Sequence, residues 1–96
     1  MSIDVLRVDC RPTADGWTCR VVVGDDSGAT EHDVRVDPAT LARLAPGAAA
    51  PDDLVIASFR FLLTREPRES ILRTFDLPAI GRYFPDWESE LAGRFA

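Results

Sequence analysis

Apolar residues alternate with polar ones through the first third of the chain and recur at helical spacing after it. Residues 3–10, 17–23 and 30–36 read as three strands, with period-two patterning and turn-forming residues between them. In the second, Trp17, Cys19, Val21 and Val23 point one way and Thr18 and Arg20 the other. In the third, His32, Val34 and Val36 oppose Glu31, Asp33, Arg35 and Asp37. The connections Pro12–Gly16 and Gly24–Gly28 supply Asp to bond nearby backbone and Gly to accept positive φ. The pattern predicts an antiparallel meander with one buried and one wet face.

Register follows from the same alternation. Pairing Leu6 with Val23 and Val8 with Val21 sets apolar against apolar, and it places Cys10 across from Cys19 and Pro12 across from Trp17. A slip of one residue would face Trp17, Cys19 and Val21 with Thr13, Arg11 and Asp9, which disfavours it. Ile3 and Val5 fall on the face opposite Leu6 and Val8, so a bulge or a covered outer face is expected near the start.

From Asp37 onward the period changes. Asp37-Pro38 opens a short helix to about Leu44, with Asp37 as N-cap. Pro51-Asp52-Asp53 starts the main helix, with Leu54, Val55, Ile56, Phe59, Leu62 and Leu63 around much of its circumference and Ser58, Arg60, Thr64 and Arg65 outside. Glu66-Pro67 ends it. Three short helices are expected beyond: Pro67 to about Thr74 with Ile71 and Leu72 inward and Glu69 at i,i+4 spacing from Arg65 and Arg73, Leu77 to Phe84 capped by Asp76, and a last one from Pro85-Asp86. The fold class is therefore α+β: a three-stranded antiparallel meander followed by four to five short helices packed on one sheet face. The 96 residues make one domain, 1–37 sheet and 38–96 helical.

Composition narrows the function classes. Hydrophobic residues make up 46% of the chain, which excludes wholesale disorder, and no run approaches the roughly 20 apolar residues of a membrane span. Asp4 and Arg7 interrupt the first apolar run, so no signal peptide is expected and the location is taken as cytoplasmic. Net charge is −5; residues 1–53 hold ten acids against five Arg, while 54–96 hold six of each. An acidic sheet repels phosphates, so nucleic acid is disfavoured as a partner class.

Candidate chemistry is sparse. Opposed on neighbouring strands, Cys10 and Cys19 fall within disulfide range if their pair is non-hydrogen-bonded, but buried, reduced thiols are the expectation in a reducing cytosol. His32, the one histidine, lies on the buried face as a core imidazole with a backbone partner. A Cys19–His32 pair is the geometry an enzyme would use, but no glycine-rich elbow or oxyanion hole accompanies it. The turn Asp25-Asp26-Ser27-Gly28 lacks the spacing and terminal Glu of a calcium loop. No enzyme, metal site, cofactor or small-molecule substrate is expected. Seven of eight aromatic residues follow position 58, more than one helical layer needs. The function expected is a non-enzymatic protein–protein interaction or regulatory domain that meets a partner protein or a second copy of itself through Arg65, Arg68, Arg82, Tyr83 and Trp87. The alternative is a DNA-binding regulator with a helix-turn-helix outline at residues 70–84.

Overall fold

A computed structural model describes residues 5–25 and 28–95. The chain is mixed α+β. Strands β1 (Val5–Thr13), β2 (Gly16–Asp25) and β3 (Gly28–Val36) form an antiparallel meander. Helix α1 (Pro38–Leu44) and helix α2 (Asp52–Leu63) follow. A fourth strand, β4 (Thr74–Asp76), then joins β3 in parallel, and the order is β1-β2-β3-β4. The one-turn helix α3 (Ile80–Tyr83) and helix α4 (Trp87–Phe95) complete the chain.

The register is the one the alternation predicts. Leu6 faces Val23, Val8 faces Val21, Cys10 faces Cys19 and Pro12 faces Trp17, and on the other side of β2 Val21 faces His32. Pairing runs unbroken from Val5↔Gly24 to Thr13↔Gly16, so β1 carries no bulge over that span. The expectations for Ile3, the Val5 side chain, and Asp26 and Ser27 lie outside the described residues. Gly16 has φ +139°, and a Cβ there would stand 2.2 Å from the Val36 carbonyl oxygen, so the hairpin requires glycine at this point. Asp37 caps α1 as expected: it accepts the Thr40 hydroxyl and, at 3.3 Å, the Thr40 amide.

One sheet face is covered. Cys19, Val21, Val23, Val34 and Val36 pack against Leu54, Val55, Phe59 and Leu62 of α2 and against Phe75, Leu77, Ile80, Trp87 and Leu91. The opposite face is polar, with Arg20 paired to Glu31 and Asp33 and Arg35 to Asp76.

Three expectations are corrected by this arrangement. Pro67–Thr74 is not a helix: only Arg68–Ser70 makes a 3₁₀ turn, and the chain then extends into β4. The i,i+4 ion pairs of Glu69 therefore do not form; Glu69 meets Arg68, and Arg65 meets Asp86. Second, Ser58 is buried. Its hydroxyl donates to the Leu54 carbonyl (2.8 Å) and accepts the Trp87 indole N–H (3.2 Å), because α4 crosses the face of α2 that otherwise would be wet. Third, Cys10 and Cys19 are joined by a disulfide, their Cα atoms 3.9 Å apart across the narrow pair.

Candidate interaction groove

Where α2 ends, the chain turns back through residues 70–72 and lays α3 alongside. Leu62, Ile71, Phe75 and Ile80 form the floor of the resulting groove, of about 350 Å³. Its rim holds Leu72, 52% exposed, and Tyr83, 69% exposed, with Glu66 and Ser70 at one end. Among the described residues these two are the large hydrophobic side chains left in solvent.

Local conformation explains the rim. In a helix Ile71 and Leu72 would both lean inward. In the extended segment adjacent side chains point to opposite sides, so Ile71 goes into the core and Leu72 out. The Leu72 carbonyl is held: it accepts a 2.7 Å hydrogen bond from Nδ1–H of His32, while Nε2 of the same ring is hydrogen-bonded to the Thr30 hydroxyl at 2.8 Å. His32 is 1% exposed, packs its ring 5.4 Å from that of Phe59, and has both nitrogens occupied. It has the expected backbone partner, and the Thr30 hydroxyl in addition. With Cys19 bonded to Cys10, no Cys19–His32 thiol pair exists.

The structure separates the five residues singled out in the sequence. Tyr83 is at the groove. Arg82 is exposed on the far side of α3, on a wider concavity of about 900 Å³ of mixed character that also holds Asp15, Trp17, Arg35 and Asp76. Arg65 is structural: its guanidinium lies 4.6 Å from the Phe61 ring centroid and pairs with Asp86, tying the end of α2 to the start of α4. That hydrogen bond, with the guanidinium charge, holds the Asp86 carboxyl below the usual range. Arg68 lies flat against the protein, its side chain 11% exposed and Nε 3.3 Å from the Glu69 carboxylate. Trp87 is 0% exposed and belongs to the core, as Ser58 and Gly81 close over its indole. Leu72 was not among the five, and only the extended conformation reveals it.

The helix-turn-helix outline at 70–84 is absent. That segment contains β4, a 3₁₀ turn at Leu77–Ala79 and the single turn of α3. No group of three or more His, Cys, Asp or Glu side chains is arranged to hold a metal among the described residues. No helix there is long and apolar enough to cross a membrane.

Comparison with protein-family models, with curated proteins and with solved structures gives no match.

Proposed function

We propose that the chain is a non-enzymatic protein-interaction domain whose groove between α2 and α3 receives an apolar side chain or short segment of a protein partner. One observation carries the reading: Leu72 and Tyr83, the large apolar side chains left exposed among the described residues, border the same apolar concavity. Scattered exposed hydrophobics need no explanation, whereas two flanking one apolar floor form a patch. Tyrosine suits the rim, since it offers a large rigid contact area and a hydroxyl for a partner's polar edge. The aromatic surplus of the tail contributes mostly to the core: Phe59, Phe61, Phe75 and Trp87 are buried.

The test is a peptide-display selection on the wild-type protein with counter-selection on Leu72→Ser/Tyr83→Ser. We expect peptides with a shared apolar anchor that lose about tenfold or more in affinity on Tyr83→Ser, or at least about 1.4 kcal/mol. Failure of any sequence to converge, or equal binding to both proteins, overturns the assignment.

A further inference from the structure

The sheet has two edges. β4 is three residues long, too short to template another strand. β1 runs nine residues, and no described element pairs with its outer side.

Which backbone groups face that edge follows from two independent observations. The Asp33 amide bonds the Arg73 carbonyl (2.7 Å), so odd-numbered residues of β3 turn toward β4 and even-numbered ones toward β2. Carried across β2 by the antiparallel registers, this points the odd residues of β1 inward and the even ones out. The 3.9 Å Cα separation of Cys10 and Cys19 marks the same phase, since the close pairs are the non-hydrogen-bonded ones. Leu6, Val8, Cys10 and Pro12 therefore present their backbone groups to solvent. Pro12, which has no N–H, occurs where none is needed within the protomer.

Charge then selects a register. We propose that β1 pairs antiparallel with β1 of a second copy of this chain, about a two-fold axis at Val8, to make one eight-stranded sheet. In this register Arg7 faces Asp9 of the other copy, twice, on the polar face. Val8 faces Val8, and Leu6 faces Cys10, on the side of the core. The backbone groups of Leu6, Val8 and Cys10 are all used. An axis at Asp9 sets Asp9 against Asp9 and Arg7 against Arg11. An axis at Arg7 sets Arg7 against Arg7. Like charges directly opposite are unfavourable, which removes both. An axis at Cys10 matches Asp9 with Arg11 but sets Pro12 against Val8, forfeiting a donor on each side. Of these four axes, only the one at Val8 satisfies charge and backbone together. Edge charges ordinarily block such pairing; here their order along the strand is complementary to itself.

The surface is distinct from the groove, and either assignment stands if the other fails. The experiment is sedimentation of the full chain over a concentration series, for wild type, Arg7→Glu, Asp9→Arg, an equimolar mixture of those two variants, and Arg11→Glu, with circular dichroism to establish folding. Wild type is expected to self-associate. Arg7→Glu and Asp9→Arg each turn two attractive pairs repulsive, and each is expected to weaken self-association by about tenfold or more. The mixture restores it, because positions 7 and 9 then carry opposite charges in both of the pairs that join one variant to the other. Arg11→Glu associates like wild type. Asp9 also faces Arg20 within the protomer, so if Asp9→Arg fails to fold, Arg7→Glu with Arg11→Glu decides the matter. Amide exchange supplies a second readout: the Val8 amide is protected in the associated state and open in the dilute one. A wild type that stays monomeric, a self-association unaffected by Arg7→Glu, or loss on Arg11→Glu overturns the proposal.

Discussion

Replacing Trp87 tests whether the tail is core or surface, and the structure sets the size of the effect. The indole is wholly buried and its N–H is satisfied by Ser58, whose own hydrogen is given to Leu54. Truncation to Ala removes the largest wholly buried side chain and leaves a cavity between α2, α3 and α4, at a cost of about 3–5 kcal/mol. Total stability of a domain this size is about 5–15 kcal/mol, so Trp87→Ala is expected to remove a large part of it, and the whole only at the lower limit. Trp87→Phe keeps a ring in place and loses the hydrogen bond and part of the volume, about 1–2 kcal/mol. Ser58→Ala strands the indole N–H and costs about 1–3 kcal/mol. The two changes share one hydrogen bond, so the double variant is expected to be less destabilised than their sum by about 0.5–1.5 kcal/mol. Urea titration followed by far-ultraviolet circular dichroism measures all four. With a slope of about 1–2 kcal/mol per molar, Trp87→Ala moves the midpoint by about 1.5–5 M. A midpoint within about 0.3 M of wild type, or strict additivity in the cycle, refutes the packing described for the tail.

Gly16→Ala is expected to cost more than about 2 kcal/mol, because the new Cβ meets the Val36 carbonyl backbone, whereas Gly47→Ala, at φ +84° with open space around it, costs only about 1 kcal/mol; equal urea midpoints refute the distinction. Breaking the Cys10–Cys19 bond, which closes a short loop, is expected to remove about 2–3 kcal/mol, read from urea titration with and without reductant; thiols that titrate freely in the untreated protein refute the bond. The Thr40 hydroxyl, aided by backbone amides, lowers the Asp37 carboxyl below its ordinary value. Its folded value lies below the unfolded one, so its contribution is complete above the unfolded value and lost as pH falls through the folded one. Asp37→Asn keeps a capping side chain and is expected to flatten the acid limb of a stability–pH profile; an unchanged limb refutes the role.

The meander was legible because β2 alternates from Trp17 to Val21, so one register alone satisfies both neighbours. Asp37-Pro38 marked α1 through the chemistry of its cap. β4 was not legible: Thr74-Phe75-Asp76 is too short to show a period, and its pairing with β3 is parallel and remote in sequence. Missing that strand turned Pro67–Thr74 into a helix, sent Leu72 inward and left the groove without its rim. Ser58 was misplaced for a related reason, since helical spacing alone does not show that α4 crosses α2. The opposition of Cys10 and Cys19 could be read from register; the bond between them could not, because thiol oxidation is not encoded in alternation.

The parallel pairing of β3 with β4 has a kinetic consequence. The two hairpins of the meander close short loops, but Arg35 and Asp76 are 41 residues apart. Closing a loop of that length costs roughly 3 kcal/mol of chain entropy beyond a constant, more than three ladder pairs return. β4 is therefore expected to close together with α2, whose Phe59 ring lies 6.1 Å from that of Phe75, rather than on its own. The groove hangs from that latch, since its floor and rim come from α2 and from the residues either side of β4. A ligand seated there would hold the latch shut, and the slowed exchange of the Asp33 amide, bonded to Arg73, would report it.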